Sequence, residues 1–580
     1  MKQFLIVSIL LIFSNISVNA QEIDIQLYQK VPMRDGIELS ANIYLPDGDK
    51  TSYPVILIYT PYVNDEAVER GMYFAKEGYV FITLDLRGRG NSEGIYRPFE
   101  KDGIDGYDAI QWISKQPWCN GNIGMMGGSY RGMVQWMTLK NKPKALKTIV
   151  PTASVGPGID FPKAGGIFSN YSLQWLNFTG GNSRNDKLFG NGSFWYNKAS
   201  KKYKEFIPFK DWDTLAFNER NPVFQTWISH PDFDSYWQNF YPTSQDYQAF
   251  DIPILTITGY FDADQPGAMT YYEQHMKYGN SNGKSNHYII LGPWSHGGTR
   301  NPETKLGGLT FGDNSKLDMK KLHLDWFNWT LKNEEKPEFL QDRVSYYMMD
   351  QNEWNYTNAL ENISNNTLTY YLSSPQSDAK LLINPGRLST QKPSITDVDS
   401  FTNDPLDTEE YPSYEGEDYY MAPIPMEEKG SILYVSDALT EATAIAGRFE
   451  VGLQLSMNVP DADMQVALYT VNQVGETKYI GADMIRLRYR EGLSQPKPVQ
   501  PGEPFFCTFD TPYITALTAE KGSRFILTIA GINSMYLQKN YSSGKEVSSE
   551  TKEDAKKAII NVHHSQEKPS YIKIPVDSKK

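Results

Sequence analysis

The chain has 580 residues, more than one compact core accommodates, and this length predicts about two to four domains. Its composition, with 40% hydrophobic and 22% charged residues, is that of a globular protein, and an aromatic content of 13% indicates extended aromatic surfaces. The net charge is −13 and no lysine- or arginine-rich run is present. These features exclude nucleic-acid binding as a main role, because an acidic protein repels the phosphate backbone.

Residues 1–20 have the pattern of a secretory signal peptide. Lys2 supplies a basic start, Phe4 to Phe13 an apolar core, and Val18 to Ala20 a small-residue cleavage site. We therefore expect a secreted chain that begins near Gln21, is periplasmic or extracellular and has no membrane contact after cleavage. A membrane anchor is the alternative, but the apolar stretch is shorter than the roughly 20 residues that a spanning helix needs.

The chain contains only two cysteines, Cys119 and Cys507, far apart in sequence. Two unpaired buried thiols are the favoured interpretation, and a single long-range disulfide stays open in an oxidising compartment. Their spacing offers no metal site of the paired-cysteine kind.

The first half of the chain alternates apolar strands with helical patterns, which predicts an α/β domain with a largely parallel sheet. The predicted elements are, in chain order, strands at 55–59, 80–84 and 123–126, with a helix at 103–115 before the third strand, then strands at 254–258 and 288–291 and a helix after Asn314 or Ser315. Residues 160–250 break this pattern with aromatic, glycine- and asparagine-rich sequence. We interpret them as an insertion into one domain formed by residues 21–159 and 251–336.

From residue 337 to residue 580 the pattern changes to period-two alternation, which is typical of an all-β domain. Alternating apolar residues occur at 449–457, at 464–468 and at 525–529. The acidic stretch at 389–428, rich in proline and tyrosine, is interpreted as a long crossing loop.

Ser129 stands in the sequence GGSYRG, which has the form of a strand that turns sharply into a helix. The familiar serine-hydrolase turn has glycine two residues after the serine, where this chain has Arg131. A nucleophilic serine also needs a histidine to take its proton and a carboxylate to orient that histidine. In α/β hydrolases these follow in the order serine, acid, histidine, each beyond the end of a strand.

Only seven histidines are present, and His296 is the one that follows a predicted strand within a glycine-rich loop, GPWSHGG. For the acid, the strand at 254–258 runs into GYFDADQPG, which places Asp262 beyond the strand end and Asp264 two residues later. An aspartate before turn residues is common, but the order Ser129, Asp262, His296 favours a catalytic triad.

An oxyanion hole needs donors aimed at the developing negative charge. The amide of Tyr130, next to the nucleophile, is one candidate, and Tyr62, three residues beyond the strand at 55–59, is the other. At this point Tyr62 fits a packing role as well as a donor role. The nearby DLRGRGNSEG lacks the spacing of a dinucleotide-binding fingerprint, so no cofactor is expected from it.

These motifs together resemble the CocE/NonD hydrolases, the group that includes bacterial cocaine esterase, α-amino-acid ester hydrolases, glutaryl-cephalosporin acylases and X-Pro dipeptidyl-peptidases. The matching segments are TPY at 60–62, DLRGRGNSEG, QPWCNGNIGMMGGSYRG, GYFDADQPG, GPWSHGG and LHLDWFNWTLK, and the β region with KGSRFILTI resembles the jelly-roll domain of that group. In this family the glycine stands three residues after the serine, as Gly132 does here.

The resemblance implies an α/β-hydrolase domain with a helical cap at 160–250 and a C-terminal jelly-roll domain. It implies Ser129 as nucleophile, Asp262 and His296 as triad partners, and oxyanion donors from the Tyr62 hydroxyl and the Tyr130 amide. No metal or organic cofactor is implied.

α-Amino-acid ester hydrolases hold the substrate ammonium group with three carboxylates, two of them two and three residues after the triad acid. This chain has Asp264 at the first position, Gln265 at the second, and Asp160 as a candidate third. We therefore expect a broader esterase or amidase acting on a small acyl or peptide substrate, with an X-Pro peptidase as the nearest alternative. An inactive hydrolase fold that binds glycan or peptide is the alternative from another class, and a homo-oligomer stays open.

Overall fold

The computed structural model describes residues 23–48, 50–307, 309–409 and 430–577. The predicted signal peptide and the second half of the predicted crossing loop lie outside these residues. The strands are β1 (Ile23–Pro32), β2 (Glu38–Pro46), β3 (Tyr53–Thr60), β4 (Val80–Asp85), β5 (Cys119–Ser129), β6 (Leu146–Ser154), β7 (Lys163–Ala164), β8 (Ile167–Phe168), β9 (Ile254–Phe261), β10 (His287–Ser295), β11 (Lys305–Leu306), β12 (Leu309–Thr310), β13 (Val344–Met348), β14 (Glu353–Thr357), β15 (Asn366–Ser373), β16 (Gly386–Ser389), β17 (Asp397–Asn403), β18 (Ser431–Ser436), β19 (Thr443–Gly447), β20 (Glu450–Met457), β21 (Asp463–Val471), β22 (Thr477–Arg486), β23 (Phe505–Asp510), β24 (Thr515–Ala519), β25 (Arg524–Gly531), β26 (Ala558–His564) and β27 (Tyr571–Asp577). The α-helices are α1 (Val68–Lys76), α2 (Asp102–Ile113), α3 (Tyr130–Lys140), α4 (Tyr171–Phe178), α5 (Asp186–Phe189), α6 (Gly192–Lys204), α7 (Trp212–Phe217), α8 (Pro222–Ile228), α9 (Ser235–Gln238), α10 (Ser244–Ala249), α11 (Gln265–Tyr278), α12 (Ser281–Ser285) and α13 (Met319–Lys332).

A ten-stranded sheet in the order β1-β2-β4-β3-β5-β6-β9-β10-β13-β14 forms the centre of the first domain. The strands from β4 to β13 in this order are parallel, while β1, β2 and β14 pair antiparallel at the edges. In β3, Val55 and Leu57 pack into the core on one face and Ile56 and Ile58 into the core on the other. Central strands are therefore apolar on both sides, as in sheets covered by helices on both faces.

The sheet continues to Thr357, beyond residue 336, where the change of sequence pattern had suggested the domain boundary. The strand β13 pairs parallel with β10 and antiparallel with β14, so both strands belong to the first sheet. The start of the following helix also differs from the prediction. Helix α13 is capped by the Asp318 side chain, which accepts from the Lys321 amide at 3.0 Å, and not by Asn314 or Ser315.

The insertion at 160–250 carries the helices α4 to α10 and the short hairpin of β7 and β8, and it connects β6 to β9. Aromatic side chains form much of its contact with the sheet domain. Trp175 stacks on Tyr130 with ring centres 5.5 Å apart, and Phe99 stacks on Trp227 at 5.7 Å. The insertion therefore covers the helix that follows Ser129.

The C-terminal part is a 13-stranded all-β domain built from β15 to β27. The alternating residues that predicted its strands are buried in one core, among them Val451, Leu453, Val466 and Leu527. This confirms the predicted jelly-roll class. Arg486 of this domain forms a buried ion pair with Asp463 at 2.9 Å and donates to the carbonyl of Gly166 in the insertion at 3.1 Å.

Two other sequence-based expectations concern thiols and membranes. Cys119 and Cys507 are both free thiols, Cys507 being buried. No helix within the described ranges combines the length and the apolar character that crossing a bilayer requires.

Candidate active site

Ser129 is the last residue of β5 and lies at the turn into α3. Its backbone has φ 64° and ψ −128°, a left-handed conformation that is strained for a residue with a side chain. A serine held in such a strand-to-helix turn presents its hydroxyl beyond the edge of the sheet. The turn thus has the backbone form of a nucleophile elbow.

The glycines around Ser129 explain why Arg131 is compatible with this turn. A Cβ placed on Gly127 would lie 2.6 Å from the Cβ of Arg131, and one on Gly132 would lie 2.6 Å from the Ser154 hydroxyl oxygen. Side chains at these two positions would therefore collide with the next turn and with β6. The Cβ of Arg131 is accommodated because Gly127 has none, and Gly132 allows the close approach to β6.

Asp262 and His296 lie in the loops that follow β9 and β10. These strands are parallel neighbours, so both loops leave the same edge of the sheet. His296 Nδ1 lies 2.8 Å from Asp262 Oδ1, and Asp262 is fully buried. The carboxylate also accepts from the Thr258 hydroxyl at 3.1 Å and from the Asp264 amide at 3.0 Å. Its orientation is therefore fixed, and Nδ1 of His296 is the nitrogen held by it.

Burial alone would lower the pKa of His296, but the negative charges of Asp264 and Asp262 outweigh it and raise the pKa above the usual range. Arg300, four residues later, acts in the opposite direction. Its guanidinium lies on the backbone before Ser129, since a Cβ on Gly128 would be 2.6 Å from Arg300 Nη1. One positive charge is thus held close to the imidazole and to Asp264.

Asp264 lies between the serine and the histidine. Its Oδ2 accepts from the Ser129 hydroxyl at 3.4 Å and is 3.6 Å from His296 Nδ1. Asp160 accepts from the amides of Gly156 at 2.7 Å and Gly267 at 2.6 Å. Burial raises the pKa of both carboxyls; the negative charge of Asp264 adds to the rise at Asp160, and that of Asp262 adds to the rise at Asp264. The structure therefore places Asp264 at the Ser129 hydroxyl and Asp160 near enough to Asp264 for their charges to interact.

The side chain of Gln265, the residue after Asp264, is turned away from Asp264 and Asp160. Its side-chain nitrogen donates to the carbonyls of Gly259 at 2.7 Å and Ile514 at 3.1 Å, and its oxygen accepts from the Ile514 amide at 2.5 Å. The amide group is buried and bridges the catalytic loop to the jelly-roll domain.

Tyr62 follows β3 at the edge of the sheet that carries Ser129. Its hydroxyl accepts from Trp175 Nε1 at 3.4 Å, which leaves its own proton available for another acceptor. Burial raises the pKa of Tyr62, so the hydroxyl stays protonated, while Trp175 and the charge of Arg131 counteract part of this rise. The guanidinium carbon of Arg131 is 5.3 Å from the centre of the Tyr62 ring.

Tyr130 begins α3, where the first amides have no acceptor within the helix. Its ring is buried, and its hydroxyl donates to Asp102 at 2.5 Å and accepts from the Phe99 amide at 2.7 Å. Burial raises the pKa of Asp102 to about 7. This anchored ring holds the backbone amide beside Ser129 in place.

Sequence reasoning missed Asp102, Trp175 and Arg300 and left Arg131 open. Of these, only Arg300 had a local signal, because it stands four residues after His296 in the same loop. Asp102 and Trp175 reach the site from α2 and α4, and no spacing in the sequence relates them to Ser129.

Asp262, Asp264 and His296 could also hold a cation, since their ligand atoms lie within 4.8 Å of one another. However, Nδ1 of His296 is hydrogen-bonded to Asp262, and a hydrogen-bonding N–H has no lone pair for a metal. The described geometry therefore fits an oriented imidazole better than a metal ligand.

The fold and site together are those of an α/β hydrolase with a cap and a C-terminal jelly-roll domain. Residues 35–298 match the X-Pro dipeptidyl-peptidase (S15 family), and residues 339–573 match the X-Pro dipeptidyl-peptidase C-terminal non-catalytic domain. The chain therefore belongs to the S15 family of hydrolases, and the resemblance to the CocE/NonD group is confirmed.

Among its relatives, cocaine esterase of Rhodococcus sp. strain MB1 Bresler is 25% identical, with 94% of this chain and 97% of that protein covered. Two solved structures share the fold over nearly the full length. An aminopeptidase from a marine-sediment Thaumarchaeota archaeon has TM-score 0.81 and 23% identity, with 96% of each chain covered. An α-amino-acid ester hydrolase has TM-score 0.80 and 23% identity, with 99% of this chain and 98% of that chain covered. The relatives indicate a hydrolase of the esterase and peptidase type.

Proposed function

We propose that the chain is a secreted serine hydrolase that cleaves an ester or amide bond of a small acyl substrate through an acyl-enzyme. The observation that carries this proposal is the left-handed backbone of Ser129 together with the hydrogen bond between His296 and the buried Asp262. Secretion rests on the signal-peptide pattern of residues 1–20 and places the enzyme in the periplasm or outside the cell.

In the proposed reaction His296 takes the proton of Ser129 as its oxygen attacks the substrate carbonyl carbon. Asp262 holds the imidazole and stabilises the charge that it acquires. The Tyr62 hydroxyl and the Tyr130 amide donate hydrogen bonds to the oxyanion. His296 then protonates the leaving group, and water, activated by the same histidine, releases the acid and restores Ser129.

Hydrogen-bond donation by Tyr62 is supported by its contact with Trp175, which occupies one lone pair of the hydroxyl oxygen. Because Trp175 donates to the hydroxyl oxygen, the tyrosine proton points to a different acceptor. In the tetrahedral intermediate that acceptor would be the oxyanion, whose negative charge makes the hydrogen bond stronger than in the ground state.

A second candidate is an aminopeptidase activity of the X-Pro dipeptidyl-peptidase type. It is favoured by the family match and by the partly buried carboxyls of Asp264, which accepts from the Ser129 hydroxyl, and Asp160, since both could pair with a substrate ammonium group. A bound ammonium would lower the raised pKa of both carboxyls, because an opposite charge favours their ionised form.

Labelling of the purified protein with a fluorophosphonate probe tests the serine mechanism. Wild-type protein should label and the Ser129→Ala variant should not, whereas an inactive binding protein would leave both unlabelled. A panel of p-nitrophenyl esters, amino-acid esters, β-lactam amides and X-Pro amides then separates the two candidates. A preference for substrates with a free α-amino group that is lost in Asp264→Asn would favour the aminopeptidase.

A further inference from the structure

A cavity of about 710 Å³ lies where the α/β domain meets the jelly-roll domain. Helix α11 forms one wall with Tyr272, Met276 and Lys277, and the jelly-roll domain forms the other with Arg448 and Pro575. Its volume is in the range that binds small molecules, and such sites occur preferentially at domain interfaces. None of its lining residues belongs to the site around Ser129.

The charges around this cavity are unbalanced. Arg448 pairs with Glu273 at 2.6 Å, but Lys277, Lys284 and Arg343 have no carboxylate within ion-pair distance among the residues that the structure describes. Glu361 is the remaining carboxylate of the lining. The lining therefore carries two net positive charges in a chain whose net charge is −13.

Arg343 is held in place at this cavity. Its carbonyl accepts from the Ile289 amide of β10 at 2.8 Å, and its Nη1 donates to the Lys284 carbonyl at 3.3 Å. The remaining N–H groups of the guanidinium suit a planar, two-oxygen anion, which arginine binds with paired hydrogen bonds.

The uncharged lining is mainly apolar, with Met276, Leu360, Ile363 and Pro575 contributing, and Asn358 and Ser364 add two polar side chains. We infer that this cavity binds a small organic carboxylate, with the carboxylate group at Arg343 and Lys284 and an apolar body against Met276 and Ile363. The acid released by the proposed reaction belongs to this class of compound, and this last connection alone rests on the proposed function.

An occupant of the cavity would also contact the residue that holds the catalytic loop. Ile514 lines the cavity, and its backbone amide and carbonyl bind the side chain of Gln265, which follows Asp264 in the chain. A bound carboxylate therefore stabilises the junction of the two domains, and it raises the melting temperature because it binds only the folded state.

Calorimetric titration of the full chain carrying Ser129→Ala tests the inference without any turnover. Phenylacetate and hexanoate are the probes, and benzyl alcohol and inorganic phosphate are the comparisons. We expect saturable binding of both carboxylates, weaker binding of phosphate and none of benzyl alcohol. Absence of saturation by about 10 mM, the limit of weak specific binding, overturns the site. Phosphate that binds as tightly as the carboxylates overturns the apolar part of the inference.

Variants locate the bound carboxylate. Arg343→Gln combined with Lys284→Gln should weaken binding by about tenfold for each charged hydrogen bond lost. Arg343→Lys, which keeps the charge but loses the paired hydrogen bonds, should weaken binding less than Arg343→Gln does, and Lys320→Gln on the exposed face of α13 should leave it unchanged. An unaltered dissociation constant in the double variant would assign the binding to another place, such as the site at Ser129. A wild-type chain that hydrolyses no substrate would contradict the proposed function and leave this titration valid.

Discussion

The guanidinium carbon of Arg131 lies 5.3 Å from the centre of the Tyr62 ring, so the residue two positions after Ser129 contacts the predicted oxyanion donor. The positive charge lowers the pKa of Tyr62 against the larger effect of burial, which raises it. A more acidic hydroxyl is a better hydrogen-bond donor to an oxyanion. We therefore expect Arg131 to act as a positioning residue for Tyr62.

Replacement of Arg131 by methionine should lower kcat by about tenfold, as expected for the loss of a desolvated cation–π contact, and leave KM close to its original value. Tyr62→Phe should lower kcat by about a hundredfold or more, as for loss of one oxyanion donor. Steady-state kinetics on a p-nitrophenyl ester measures both.

The double variant decides whether Arg131 acts through Tyr62. If it does, Arg131→Met has little further effect in the Tyr62→Phe background, where the hydroxyl is already absent. Independent, additive losses would contradict this coupling. Arg131→Lys, which keeps the charge and loses the planar group, should give an intermediate kcat.

The charge of Asp264 should set the pH dependence of hydrolysis. General-base catalysis needs neutral His296, whose pKa is lowered by burial but raised overall by Asp264 and Asp262. The value of kcat/KM should therefore fall as the pH drops through a midpoint above the usual histidine value of about 6.5. Asp264→Asn removes one of the negative charges and should move this midpoint to lower pH.

An uncharged p-nitrophenyl ester is the suitable substrate for that pH profile, because it makes no ion pair with Asp264. Asp47→Asn, at an exposed position after β2, serves as the matched control and should keep the wild-type midpoint. An identical midpoint in Asp264→Asn and wild type would show that this carboxylate does not govern the titration of the base.

The order and loop positions of Ser129, Asp262 and His296 could be predicted because parallel strands end at one edge of the sheet, so residues just beyond the strand ends meet there. Side chains that reach the site from elsewhere could not be predicted in this way. The contact between Trp175 and Tyr62 joins residues 113 positions apart, and it depends on how the inserted helices pack.

The domain boundary shows a related limit. The sequence of β13 is a short, largely apolar run like those of the jelly-roll strands that follow. In the structure, however, β13 pairs with β10 of the first sheet. Periodicity identifies a strand but not the sheet that it joins. The contact that Gln265 makes could not be predicted for the same reason, because its partner, Ile514, lies 249 residues away.

Gly132→Ala should destabilise the elbow. The added Cβ would lie 2.6 Å from the Ser154 hydroxyl oxygen and 2.8 Å from the Thr152 carbonyl oxygen, so α3 must move away from β6. Overpacking of this kind costs about 1–3 kcal/mol of unfolding free energy, which urea denaturation measures. Because α3 carries the Tyr130 amide, kcat should fall as well.

A matched glycine provides the control for this substitution. At Gly192, the first residue of α6, an added Cβ meets no atom within 4 Å. Gly192→Ala should leave the unfolding free energy unchanged or raise it slightly, since alanine favours the helix. Equal stability of Gly132→Ala and wild type would refute the close approach of α3 and β6.

Gln265→Ala should weaken the junction between the catalytic loop and the jelly-roll domain. The substitution leaves the carbonyls of Gly259 and Ile514 and the Ile514 amide without the side-chain partner that they have in a buried position. An unsatisfied buried group costs about 1–3 kcal/mol, so we expect a clear loss of unfolding free energy in urea. Gln274→Ala, on the same helix and half-buried, should have a much smaller effect.

Because Gln265 directly follows Asp264, the larger effect should extend to the site: kcat/KM for substrates with a free amino group should fall more than for uncharged esters. Equal losses for both substrate classes would mean that the bridge stabilises the fold without positioning Asp264.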